Sequence, residues 1–353
     1  MNTDRYFFSF NPQFENIGDA LINRELLNLL SANGIVIMDL SRTPDQFIRW
    51  MSPLRPSIKK SYSKTHFFLY FFYCWLKGER PWWVLHPGGH YVRSDISIKQ
   101  YIKTRIYALL LHVLHFRGSR VLQLGVSYDK FGPRGESAIR ALAKKIDVHI
   151  VRDRDTLSRC ISINARVDGR LNDFAYALSP SLPITINENV IVSLRSLKDG
   201  SPPDISQIAS AVPPKRLLFS WQVKRDALVA KKLRDQFSPE SSLLPCLDSI
   251  DQNRDIYGSC KLVVTNRLHV FLLTLSAGGL PVLLLEEGQN QKIRGVVKDA
   301  HLEELIRSID EIANLMDDDD HLDSMRKHAA DRYLIAHKQF IAEAPQLIKN
   351  VTD

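Results

Sequence analysis

Apolar positions fall into short compact runs that alternate with longer stretches at helical spacing. Residues 5–10 form a brief aromatic run that predicts a strand. Across 20–32, Leu21, Ile22, Leu26, Leu29 and Leu30 recur on one helical face. Gly34 then reads as the left-handed residue that ends this helix. Residues 35–40, 82–85, 121–125 and 149–151 predict four more buried strands. A second series follows at 190–194, 216–220, 261–265 and 281–285, with helical stretches such as 226–237 between them. Strands separated by helices pair in parallel and predict doubly wound sheets.

Residues 178–189 hold two prolines and no helical periodicity, which marks a linker. The expected architecture is therefore α/β, with two Rossmann-like domains facing a cleft. Residues 1–180 would form the first, 190–320 the second, and 321–353 a helical C-terminal segment. This arrangement resembles the glycosyltransferase B architecture.

Composition changes this picture little. The chain has 353 residues, 44% hydrophobic and 24% charged, enough for two domains of roughly 150 residues. A net charge of +8 suits an anionic small substrate, an anionic membrane face or a nucleic acid. No nucleic-acid motif is present, so nucleic acid is not an expected partner. Cys74, Cys160, Cys246 and Cys260 form no CxxC pair, which argues against a zinc site and fits a reducing cytoplasm. The N-terminus lacks the build of a signal peptide, and no run has the roughly 20 apolar residues of a membrane span. The expected location is the cytoplasm.

Residues 261–287 carry the most specific chemistry. A strand leads into Asn266, a residue type that caps helices, and an apolar helix runs from about Arg267 to Gly278-Gly279. Arg267 and His269 thus fall in the first turn, at the carboxyl end of a strand, where open α/β sheets bind ligands. Free N–H groups and the helix dipole favour an anion there. Arg adds a bidentate donor, and His adds a group that titrates near neutrality. The competing reading is a surface Arg and His with no such role.

Arg267-Leu268-His269, the apolar helix, Pro281 and a loop containing Lys292 resemble the most characteristic segment of the polysaccharide pyruvyltransferase family. Glu286-Glu287-Gly288-Gln289-Asn290 stands where relatives carry Ser-Tyr-Asp before the lysine. Asn16-Ile17-Gly18-Asp19 resembles the family's G-N-x-G-D, with Glu15 in place of the first glycine. Pro87-Gly88-Gly89-His90 resembles its G-G-G strand end, with His90 as the third residue. Leu124-Gly125-Val126-Ser127, Val151-Arg152-Asp153 and Ser193-Leu194-Arg195 resemble further segments, all in the family's order.

The resemblance implies a transferase that moves a pyruvyl ketal from phosphoenolpyruvate to a sugar of a bacterial surface polysaccharide (an exopolysaccharide) or its precursor. It implies Arg267 and Arg195 on the donor's carboxylate and phosphate, and His269 as acid or phosphate partner. Lys292 would be a further phosphate contact. Asp19 would accept acceptor hydroxyls or act as base, unless it is a plain N-cap. Gly18, Asn16 and His90 would line the cleft. Arg152 and Asp153 read as a mutual salt bridge. The chemistry requires no cofactor and no metal. The acceptor is a glycan, and the resemblance leaves open a lipid-linked one.

Two other readings stay open: a nucleotide-sugar glycosyltransferase, and a non-enzymatic carbohydrate-binding relative. The aromatic segment 66–83 reads as a core helix feeding a buried strand. Its alternative is a peripheral contact with the inner face of the plasma membrane. Asp317 to Asp320 reads as a solvated helix start, and oligomeric state is not legible.

Overall fold

The computed structural model describes all residues except 1–3, 11, 90–95, 117, 129–130, 182–184, 198, 287–289 and 353. The side chains of 89, 224–225, 291–292 and 350–352 are also outside the described set.

The first sheet contains β1 (Asp4–Ser9), β2 (Gly34–Asp39), β3 (Ile58–Ser61), β4 (Trp82–Leu85), β5 (Gly88–Gly89), β6 (Arg120–Ser127), β7 (Val148–Val151) and β8 (Gly169–Arg170). They run parallel in the order β3-β2-β1-β4-β6-β7-β8, with β5 extending β4's place beside β6. The second sheet contains β9 (Asn187–Ser193), β10 (Leu217–Ser220), β11 (Ser242–Leu244), β12 (Cys260–Thr265) and β13 (Pro281–Leu283). Its order is β11-β10-β9-β12-β13, again all parallel. Strand order reverses between β1 and β4 in one sheet and between β9 and β12 in the other. Those two points are where such sheets open a crevice for ligand.

Side chains alternate across the first sheet as the pleat requires. Tyr6, Phe8, Val36 and Met38 pack on one side with the helices Ile17–Ser31 and Asp45–Met51. Phe7 and Ile37 pack on the other with Phe67, Phe71 and Cys74 of the helix Lys64–Leu76. A single apolar cluster continues from Tyr6 and Phe8 into the second half, through Leu268–Ser276 to Val190, Ile191 and Val192. The helix Leu268–Ser276 is apolar nearly all round, and every residue but His269 is buried. It fits because both sides are covered: its own sheet lies on one and the turn Phe174–Ala177 of the first half on the other. The C-terminal helix Asp319–Thr352 crosses back to that turn. The Tyr333 hydroxyl donates to the carbonyls of Ala175 and Leu178, and Phe340 packs edge-on against Phe174.

Two local expectations change, and several short strands, β3 among them, were not expected. Gly34 does not end a helix; the cap is Ala32, and Gly34 opens β2. A Cβ there would overlap the Asp4 carbonyl of β1, so the glycine serves strand approach rather than a left-handed turn. The basic stretch 55–64 contains the edge strand β3, whose Lys59 and Lys60 point to solvent. Exposed lysines blunt an edge against further pairing, which hides its apolar alternation. Asn266 is not the helix cap either. Arg267 holds that position without a side-chain cap bond, and Asn266 has another use, given below.

Candidate active site

The helix Ile17–Ser31 begins at Asn16, whose Oδ1 accepts from the Gly18 amide at 3.0 Å. Asn16 is thus the N-cap, and Asp19 is free of that role. The Asp19 carboxylate instead accepts from the Gln13 amide at 2.9 Å and from Asn16 Nδ2 at 3.1 Å. Burial pushes its pKa up to about 6, ahead of the lowering pull of the Gln13 amide, Arg152 and Arg267; Asp173 adds a smaller raising effect.

Gly18 faces the second half directly. A Cβ on it would overlap the imidazole of His269, so only glycine lets these two segments meet. His269 has a side-chain exposure of 13%, and its Nε2 lies 3.9 Å from Asp173 Oδ2. That nitrogen is buried and has no hydrogen-bond partner among the described residues. Desolvation lowers the His269 pKa to about 4, against the raising influence of Asp173. The ring is therefore neutral at pH 7. The expectation that His269 acts as an acid meets this obstacle unless a bound anion restores its proton affinity.

Asp173 is held from behind. Its Oδ1 accepts from the Ala175 amide at 2.9 Å, and its Oδ2 takes Arg152 Nη1 at 2.7 Å. Arg152 Nε donates to Ser127 Oγ at 2.8 Å, and Ser127 donates to Asp153 Oδ2 at 2.6 Å. Asp153 caps the next helix through the Thr156 amide. Arg152 thus pairs with Asp173, not with Asp153 as the sequence reading had it. Geometry explains this: Arg152 directly follows β7 with its guanidinium on Asp173, whereas Asp153 is committed as a cap.

In the second sheet, Asn266 clamps the end of β9 to the end of β12. Its Oδ1 accepts from the Arg195 amide at 2.8 Å, and its Nδ2 donates to the Arg195 carbonyl at 3.2 Å. This fixes the Arg195 backbone beside Arg267 at the switch point. The Arg267 guanidinium pairs with Asp226 of the helix Lys224–Phe237. The Arg267 side chain is 12% exposed and that of Asp226 5%. A buried pair of this kind holds an arginine in a fixed orientation.

The structure therefore brings Asn16, Gly18, Asp19, Arg267 and His269 together, with the Arg195 backbone adjacent. Lys292 lies in the first turn of the helix Gln291–Asp299, but its side chain is outside the described residues. His90 is likewise outside them. Sequence reasoning missed Asp173 and Asp226. Asp173 directly precedes the apolar run Phe174–Ala177, and an acid set against such a run is a sign of buried charge.

A separate cavity of about 840 Å³ lies at the switch point of the first sheet, lined by Ser9, Asp39, Lys64, His86 and Lys103 among others. None of Asp19, Arg267 or His269 lines it. The loop after β1 divides the two places: Phe10 and Phe14 face the cavity, while the Gln13 amide holds Asp19.

No curated protein matches the chain. Solved structures resemble it in fold. MnaA of S. aureus with UDP superposes with a TM-score of 0.58 at 11% identity, covering 100% of this chain and 98% of that one. A putative UDP-N-acetylglucosamine 2-epimerase from Listeria monocytogenes gives 0.58 at 12%, covering 99% and 97%. Anabaena Alr3699/HepE with UDP and glucose gives 0.59 at 12%, covering 99% of both. These likenesses establish a glycosyltransferase B-like fold of two Rossmann-like units. The sequence model of the family described as polysaccharide pyruvyl transferase matches residues 16–279, from the cap of the Asp19 helix to the glycines that close the His269 helix. The chain is a transferase and belongs to the polysaccharide pyruvyl transferase family.

Proposed function

We propose that the enzyme transfers a pyruvyl group from phosphoenolpyruvate to two hydroxyls of one sugar in a bacterial surface polysaccharide or its precursor, working in the cytoplasm. Residues 190–320 would serve the donor and 1–180 the acceptor. The observation that carries this reading is the junction itself: a neutral His269 with an unpartnered Nε2, set beside Arg267 and against Gly18 and Asp19.

The chemistry asks for a proton at the donor's methylene carbon, stabilisation of a cation-like C2, and departure of phosphate. Two C–O bonds to the sugar form while the C2–O bond to phosphorus breaks. Of the two hydroxyl protons displaced, one is balanced by the new methyl hydrogen and the other by phosphate. Arg267, oriented by Asp226, and Arg195 would hold carboxylate and phosphate, with Lys292 as a further contact. The first turn of the helix Leu268–Ser276 adds its amides and dipole. His269 would donate through Nε2 to the phosphate. The arriving negative charge raises its pKa and lets it protonate the leaving group. Asp19, titrating near 6, would exchange a proton with the acceptor hydroxyl or the enol carbon.

Release of phosphate that requires both phosphoenolpyruvate and a glycan acceptor, matched by a new ketal methyl signal in NMR, tests this. Arg267→Ala should lower the rate some 30- to 1000-fold, a loss of roughly 2–4 kcal/mol of transition-state stabilisation. Near-normal turnover in that variant would remove Arg267 from the mechanism. The second reading, a glycosyltransferase with a nucleotide-sugar donor, draws on the UDP or UDP-sugar in the names of the three fold relatives above. It predicts nucleotide release and no dependence on phosphoenolpyruvate.

A further inference from the structure

The helix Ile98–His115 is apolar on two opposite faces. Ala108 and Leu111 are buried in the cluster that docks it on the first half. On the other side, Ile98, Ile102, Ile106, Leu109, Leu110 and Val113 are each half exposed or more. Five of the six recur three or four residues apart, so they form one continuous stripe. Docking on the sheet needs only the first face. The helix Lys64–Leu76 repeats the pattern: Phe67, Phe71 and Cys74 are buried, while Leu69, Phe72, Tyr73 and Leu76 are exposed.

The two helices are neighbours. The Trp75 indole donates to the Leu114 carbonyl at 3.2 Å, and the Trp83 indole under them donates to the Tyr107 hydroxyl at 3.2 Å. Ten exposed apolar side chains thus stand on two neighbouring helices, a concentration unlike singly scattered surface apolars. The charge of these helices is one-sided. Neither helix contains an Asp or Glu, and Lys64, Lys99, Lys103 and Arg105 stand exposed along them. The cavity at the first switch point is lined by Lys64, Gln100, Lys103 and Thr104 from the beginnings of these same helices.

A second copy of the chain on this face would set basic residues against basic residues. An anionic lipid surface complements both features: acyl chains for the stripe, head groups for the lysines. We propose that the paired helices Lys64–Leu76 and Ile98–His115 dock the enzyme on an anionic bilayer. No described helix is long and apolar enough to cross a membrane, so the contact is peripheral. It holds whichever donor the cleft takes, because none of its residues belongs to the His269 cluster.

Vesicle flotation of the full chain tests it. Vesicles of mixed phosphatidylglycerol and phosphatidylcholine should carry the protein up, and phosphatidylcholine alone should carry much less. Binding should weaken as salt rises from low to about 0.5 M. Ile106→Glu with Leu110→Glu should reduce partitioning at least tenfold with an unchanged melting temperature, since both side chains are exposed. Lys99→Glu with Lys103→Glu should lower it by about fivefold per residue or more at low salt. Absence of flotation on anionic vesicles would overturn the proposal, as would flotation that both double variants leave unchanged. A dimer in sedimentation that Ile106→Glu with Leu110→Glu dissociates would overturn it in favour of a second copy.

Discussion

Two helices of this enzyme are rich in leucine, isoleucine, valine and phenylalanine, and they meet opposite fates. Leu268–Ser276 is sealed between its own sheet and the turn Phe174–Ala177, with His269 as its one partly exposed residue. Ile98–His115 rests on its sheet with one face and leaves the other to solvent. Apolar content alone does not distinguish them. Charge does: the buried helix has no ionisable group beyond the histidine at its head, whereas the exposed one carries Lys99, Lys103 and Arg105 among its apolar residues. A cation can stay hydrated beside an apolar stripe on a surface, but not between two packed layers.

The largest difference should appear on truncation. Phe271→Ala removes a fully buried ring from the sealed helix and should cost about 3–5 kcal/mol in chemical denaturation. Leu109→Ala on the exposed stripe, where the side chain is 61% exposed, should change stability by no more than about 0.5 kcal/mol. Equal costs would mean that something in the protein covers the stripe.

Gly18→Ala comes next. The added methyl must displace His269 or the start of the helix Ile17–Ser31, an overpacking cost of about 1–3 kcal/mol. It should also lower turnover more than it lowers acceptor binding, because it parts His269 from Asp19. A stable, fully active Gly18→Ala enzyme would show that the two halves do not close on each other at this point.

The remaining effects are in pH dependence, and their signs oppose. His269 has a folded pKa lowered from 6.5 to about 4, so its contribution is complete above pH 6.5 and is lost as pH falls through 4. His269→Asn should therefore flatten the loss of stability in acid. Asp19 has a folded pKa raised from 3.8 to about 6, so its contribution is complete below 3.8 and is lost as pH rises through 6. Asp19→Asn should make the protein relatively more stable at pH 7 than at pH 4. Each effect is on the order of 2–3 kcal/mol. Melting curves between pH 4 and 7.5 that show the same sign in both variants would refute the assignment of burial as the cause.

The central strands could be read from the sequence because both of their faces are buried, so their apolar runs stand out, as in the segments that became β9 and β12. Edge and fragmentary strands could not. β3 displays its lysines, and β8 is only two residues long. The site was legible where one segment carries several of its residues, as Asn16-Ile17-Gly18-Asp19 and Arg267-Leu268-His269 do. It was not legible where the partner comes from a distant segment. Nothing near Arg152 names Asp173 as its partner, and nothing near Arg267 points to Asp226. Asn266 shows the same limit from the other side. Its residue type suggests a cap, but the fold uses its two-sided amide to tie the Arg195 backbone to the end of β12.

The most direct test of the account is the thermal stability of wild type and Arg267→Ala with phosphoenolpyruvate and, separately, with a panel of nucleotide sugars. A ligand at about 100 times its dissociation constant adds roughly 2.7 kcal/mol to the folded state, a rise of several degrees. The account predicts that phosphoenolpyruvate stabilises the wild type, that Arg267→Ala abolishes the shift, and that nucleotide sugars do neither. Stabilisation by a nucleotide sugar alone would contradict it.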